Sequence, residues 1–165
     1  MASRRTRKLG RRLVLLNDLL AGADGAPNLQ TREQFAAALI EKAATLEKLG
    51  SRAAARAVCD DLERRFGGAP ELPIREKVIK ALKLKARSLG RVESALSIYD
   101  DLLARFGAAT EESLREEVAS AMLEKGITLE ELGRPQASIV VYDCLKERFG
   151  GTASFTLETL VYAAT

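Results

Sequence analysis

Residues 89–107 read LGRVESALSIYDDLLARFG, and a polar spacer leads from them to LREEV at 114–118. Parts of this stretch recur on both sides. Leu49-Gly50 and Leu132-Gly133 repeat the opening dipeptide. Arg65-Phe66-Gly67 and Arg148-Phe149-Gly150 repeat the closing tripeptide. Ile74-Arg75-Glu76 repeats the exit signal, and Leu157-Glu158-Thr159 keeps its spacing. The offset is 40 residues between the first two copies and 43 between the next two. A fixed period of this size marks a stacked repeat array.

Composition agrees with helices. The 165 residues suit one domain with a core, and the net charge of +3 is too small for a nucleic-acid polycation. Aromatics make up 5% and Trp is absent; Ala and Leu dominate the apolar set, which favours close-packed helices over sheet. There is no His, so the commonest general base and metal ligand is missing. Cys59 and Cys144 lie about two repeats apart. They are read as small buried thiols in a reducing compartment, too distant for a disulfide.

The spacing predicts helices over 31–49, 52–66, 74–89, 92–106, 114–132 and 135–149, with a last one starting near Phe155. Gly50, Gly90 and Gly133 supply short turns within pairs, and short turns force antiparallel neighbours. Longer loops with Gly and Pro separate the pairs, which span about 31–73, 74–113 and 114–156, with a partial repeat at 157–165. From Ala38 to Gly50 and from Ala121 to Gly133 is 12 residues, but from Ala81 to Gly90 is 9. Three lost residues turn an apolar face by roughly 60°. That predicts a bent or shortened middle helix.

The basic segment 1–8 precedes a helix at 9–22. Arg4, Arg5, Arg7 and Lys8 ahead of Leu13-Val14-Leu15-Leu16 look like a secretory signal. However, Asn17-Asp18 interrupts the apolar run, and residues 15–20 superimpose on residues 98–103. A degenerate repeat helix that caps the array is the better reading, and export is the alternative. No stretch approaches the ~20 apolar residues of a membrane span.

The pair resembles a tetratricopeptide repeat (TPR) in a lengthened form common in bacterial proteins. That family's pattern is W-x2-L-G-x2-Y, then A-x3-F, then P. Here Met122-x2-Lys125-Gly126-x2-Leu129 is followed by Leu132-Gly133 and Ser138-x3-Tyr142. Ala95-x3-Tyr99 and Ala55-x3-Cys59 repeat the second half. The large aromatic is missing, and the Arg-Phe-Gly exit replaces the proline. The resemblance covers about residues 31–165. It implies an all-α fold, a right-handed α-solenoid of antiparallel helix pairs, whose concave groove binds a peptide.

No catalytic constellation or cofactor motif is present, so the expected function is a non-enzymatic scaffold in the cytoplasm. Asp60-Asp61 and Asp100-Asp101 recur at one slot and read as a solvated helix face rather than a metal site. The three exit phenylalanines read as core. The groove candidates are Ala37, Ile40 and Ala44 on the first pair, and Ser120, Leu123 and Ile127 on the third. Lys77, Lys80, Lys83 and Arg87 follow spacings of three, three and four, so a basic stripe on the middle pair is expected to receive an acidic partner segment. The alternative is a nucleic-acid-associated protein using the basic N-terminal arm and this helix. The apolar face of Leu157, Leu160, Val161 and Ala164 raises a homodimer through the C-terminal helix.

Overall fold

The structure, a computed structural model, describes residues 4–22, 29–90 and 92–150. Among them are seven α-helices and no strand: α1 (Arg4–Gly22), α2 (Leu29–Lys48), α3 (Arg52–Phe66), α4 (Leu72–Leu89), α5 (Glu93–Phe106), α6 (Glu112–Glu131) and α7 (Pro135–Phe149). The fold class is therefore all-α. The chain divides into two compact units, residues 1–88 and 89–165. The division falls at the end of α4, beside the turn that follows the three-residue deletion. That helix has 18 residues, against 20 in each of α2 and α6. The expected final helix from Phe155, and with it the dimer face, lies outside the described residues.

The helix starts differ more from the sequence reading than the helix ends do. α2 and α6 each begin two residues early. α1 begins at Arg4 and takes in much of the basic segment. Arg and Lys are good helix formers, and the single Gly10 costs only about 1 kcal/mol. The ends are sharper because glycine fixes them. Gly50 and Gly133 sit at φ +80° and +74°, where a Cβ would be strained. Gly50 N–H donates to Glu47 O and Ser51 N–H to Leu46 O; Gly133 and Arg134 do the same to Glu130 and Leu129. Each is a paired C-terminal cap that satisfies carbonyls the helix leaves open.

Contacts fix the direction of each neighbour. In the first unit, Phe35 near the start of α2 meets Phe66 at the end of α3, edge to face with centroids 6.2 Å apart. Arg32 lies 5.9 Å over the same Phe66 ring. In the same unit Arg56 early on α3 donates to Ser88 O late on α4, while Lys85 reaches back to Asp60. Both neighbours are thus antiparallel. In the second unit, Arg134 after α6 pairs with Glu93 at the start of α5, and Arg115 near the start of α6 covers Phe149 at the end of α7. Again the packing is antiparallel.

The core of each unit follows the repeat. Phe66, Phe106 and Phe149 are all buried, as expected of the exit motif. Ala55, Ala95 and Ser138 are buried at the small slot, where close helix approach needs little volume. On α1, Leu16 is buried, and α1 packs on α2 with Arg12 paired to Glu41. Asn17 and Asp18 are exposed as Asp100 and Asp101 are, so burial along 15–18 follows that along 98–101.

Candidate functional site

The four basic residues expected to form a stripe do not share one exposed face. Lys80 and Arg87 are exposed, Lys77 is half-buried and Lys83 is buried. Each step of three along a helix rotates by 300°, so two steps carry Lys83 about 120° from Lys77. A second count shows why that position faces inward. Lys83 stands seven residues before Gly90, as Ala43 stands before Gly50 and Gly126 before Gly133. Both of those are buried small residues. Counting back from the turn glycine would have found this. Lys80→Glu is expected to change stability by less than about 0.5 kcal/mol. Lys83→Glu is expected to cost about 2–3 kcal/mol, because it buries a charge of the wrong sign. Urea unfolding midpoints of the two variants check this.

The remaining nominated residues divide between the units. On α2, Ala37, Ile40 and Ala44 are all half-buried. On α6, Ser120 and Leu123 are half-buried and Ile127 is 41% exposed. Each set offers a shallow apolar strip.

The acid doublets form ion pairs, in a bipartite pattern. The first acid of each doublet reaches the next helix: Lys85 Nζ is 2.6 Å from Asp60, and Lys125 Nζ is 2.5 Å from Asp100. The second acid pairs four residues on with its own helix, Asp61 with Arg65 and Asp101 with Arg105, at 3.0 Å each. Burial alone would lower the pKa of Lys85, but Asp60 and Glu63 outweigh it and hold the pKa above its usual value. No group of three metal-binding side chains occurs among the described residues.

The cysteines differ. Cys59 is buried, but Cys144 is exposed, contrary to the expectation that both pack inside. Cys144 occupies the slot of Asp61 and Asp101, which faces solvent or its rim. Burial, with the charge of Asp60, pushes the Cys59 thiol up to about 12. A thiol-specific reagent at pH 8 should therefore modify one cysteine in the native chain and two in denaturant. A raised thiol pKa favours the fold fully below the ordinary thiol value. That contribution falls away as pH rises through 9 towards 12. Thermal stability should accordingly decline more between pH 9 and 11 in the parent chain than in Cys59→Ala.

One concavity among the described residues lies outside the nominated ones. It is an open cleft of about 450 Å³ within the second unit, lined by α5, α6 and α7. Leu96, Leu129, Val140 and Val141 supply its apolar lining. Two ion pairs edge it, Lys125 with Asp100 and Arg134 with Glu93 at 2.6 Å. Close by, Tyr99 donates its hydroxyl to Glu124 Oε2 at 3.0 Å. Lys125 and Leu129 lie on the side of α6 opposite Leu123 and Ile127, since two residues rotate a helix by about 200°. The cleft is therefore a different surface from the strip expected to bind. Its sequence signal is the apolar run Ile139-Val140-Val141, which stands where α3 has Arg56-Ala57-Val58. Compared with known proteins, the chain matches no family model, no curated protein and no solved structure.

Proposed function

We propose that this chain is a non-enzymatic protein-interaction module, a TPR-like right-handed array whose α5–α6–α7 cleft receives apolar side chains of a partner segment. The observation that carries this is an open apolar cleft whose edges are held by ion pairs. Such edges set the spacing of α5 and α6 before any partner arrives, which lowers the ordering cost of binding. Val140 is 68% exposed at this cleft, an unfavourable position for a large apolar side chain unless it is covered in use. The proposal includes a cytoplasmic setting, where a reducing environment keeps the exposed Cys144 thiol unpaired.

The test compares partner recovery by the parent chain and by Val140→Asp. The variant should keep its helicity and melting temperature and lose recovery at least tenfold. Equal recovery would remove the cleft from consideration.

A second reading is favoured by α1, on which Arg7, Lys8, Arg11 and Arg12 are exposed. These residues and the exposed Lys80 and Arg87 would contact nucleic acid through phosphates, or an acidic protein segment through carboxylates. Filter binding of a DNA duplex and of a polyglutamate peptide at low and moderate salt separates the two.

A further inference from the structure

The repeat offset makes the second helices of the pairs directly comparable. Residues Glu93, Leu96, Ser97 and Asp100 of α5 correspond, 43 residues on, to Gln136, Ile139, Val140 and Asp143 of α7. On α5 this face is met by α6. Lys125 reaches Asp100, Arg134 reaches Glu93, and Leu96 is only 6% exposed. On α3 the corresponding face is met by α4, whose Lys85 reaches Asp60. Twice, then, an aspartate at one slot receives a lysine from the helix that follows, and Lys85 and Lys125 are themselves 40 residues apart.

Among the described residues, no helix meets the same face of α7. Ile139 is 55% exposed where its counterpart Leu96 is buried. The Asp143 side chain is no more exposed than that of Asp100, but its contact is a long one, 3.8 Å, to Lys146 on its own helix, where Asp100 has a lysine of the next helix at 2.5 Å. Tyr142, the counterpart of Tyr99, is associated with Glu130 of α6, and burial followed by that carboxylate's charge and hydrogen bond raises its pKa. Tyr99 instead reaches Glu124 on the helix that follows it.

We propose that the Ile139–Asp143 face of α7 docks an amphipathic helix of a partner protein, laid antiparallel as α4 lies on α3 and α6 on α5. The occupant carries apolar residues against Ile139 and a lysine or arginine against Asp143. Its chemistry is set by complementarity: the face offers one large apolar side chain and an acid four residues on, the arrangement that α6 satisfies on α5. A weakly paired carboxylate beside an exposed isoleucine binds a basic amphipathic helix better than an acidic one, and the charge fixes the register. This goes beyond the cleft reading, and Ile139 and Asp143 do not line the cleft.

The test uses the full chain and a stapled helical peptide with the sequence of α6, residues 112–132. Binding is followed by fluorescence anisotropy, with circular dichroism confirming that every variant is folded. The parent peptide should bind at micromolar concentrations. Asp143→Lys in the protein should weaken binding tenfold or more, as should the Lys125→Glu change in the peptide. The two changes together should restore affinity to within about threefold of the parent, an outcome that mere unfolding cannot produce. Ile139→Asp should also abolish binding, while Val140→Asp, aimed at the cleft, should weaken it less. Absence of binding at 200 µM, or binding indifferent to both charge reversals, overturns the proposal. So does a chain that self-associates through this face, shown by sedimentation that Ile139→Asp converts to monomer, while the peptide fails to bind.

Discussion

Phe149→Ala is expected to lower unfolding stability by about 3–5 kcal/mol, the largest effect of any single truncation in the second unit. The Phe149 ring is only 1% exposed, so removing it leaves a cavity that its neighbours fill only partly. Two guanidiniums also lose their ring: Arg115 at 5.6 Å and Arg148 at 5.2 Å from its centroid. Each such contact is worth about 0.5–1 kcal/mol where solvent reaches it. Phe149→Leu should therefore separate the terms. It keeps most of the apolar volume and forfeits the cation–π contacts, so a loss of about 1–2 kcal/mol is expected. Urea denaturation with an unchanged slope for both variants is the measurement. A Phe149→Ala variant within 1 kcal/mol of the parent would mean that the exit motif does not anchor α7.

Cys59→Tyr is expected to cost about 3 kcal/mol, and Ala43→Gly in the same chain should recover a large part of it. The reasoning comes from the second unit. Tyr142 packs against Gly126 so closely that a Cβ on Gly126 would lie 2.1 Å from the ring. The two positions have counterparts 83 residues earlier, Ala43 and Cys59, and both are buried. One pair combines no side chain with a large ring; the other combines a methyl group with a thiol. In these two pairs the volume is thus divided between the two slots; the middle repeat, with Lys83 and Tyr99 at them, departs from this. Placing tyrosine at 59 without removing the Ala43 methyl overfills the site. The reciprocal Gly126→Ala should cost less, because Tyr142 is half-buried and can shift outward, and alanine regains about 1 kcal/mol of helix propensity. Melting temperatures of the two singles and the Ala43→Gly/Cys59→Tyr double complete the cycle. No recovery in the double would mean that the two slots do not share one volume.

These two cases show what kind of information repetition in a chain carries. Glycine at 50, 90 and 133 was readable because a left-handed backbone is a local requirement that few residues meet. The phenylalanines at 66, 106 and 149 were readable because their spacing repeats and their burial follows from it. The ends of α3 and α7 agree with the sequence reading to the residue for the same reason. Helix starts were less legible. No side-chain cap hydrogen bond forms at the start of α3, α5, α6 or α7, and only α7, with Pro135 in its first turn, carries a residue type that marks its start.

The candidate surface was legible only in part. Lys77, Lys80, Lys83 and Arg87 share a charge and a spacing, but spacing measures rotation only relative to the helix itself. Which side faces the core is settled by neighbours distant in sequence, and Lys83 lies on that side. The same limit hid the cleft. Leu96 and Leu129 belong to two helices and nothing local distinguishes them from core; only the run Ile139-Val140-Val141 on a third helix carried a signal. Asp60 and Asp100 read as solvated from their own helices, whereas their lysines come from the next one. The sequence by itself determined that this chain is helical, where its helices stop, and which slots repeat, because backbone geometry and periodicity are local properties. Only the tertiary structure decided which repeated slots are buried, paired or left open, because burial and ion pairing are properties of two elements at once.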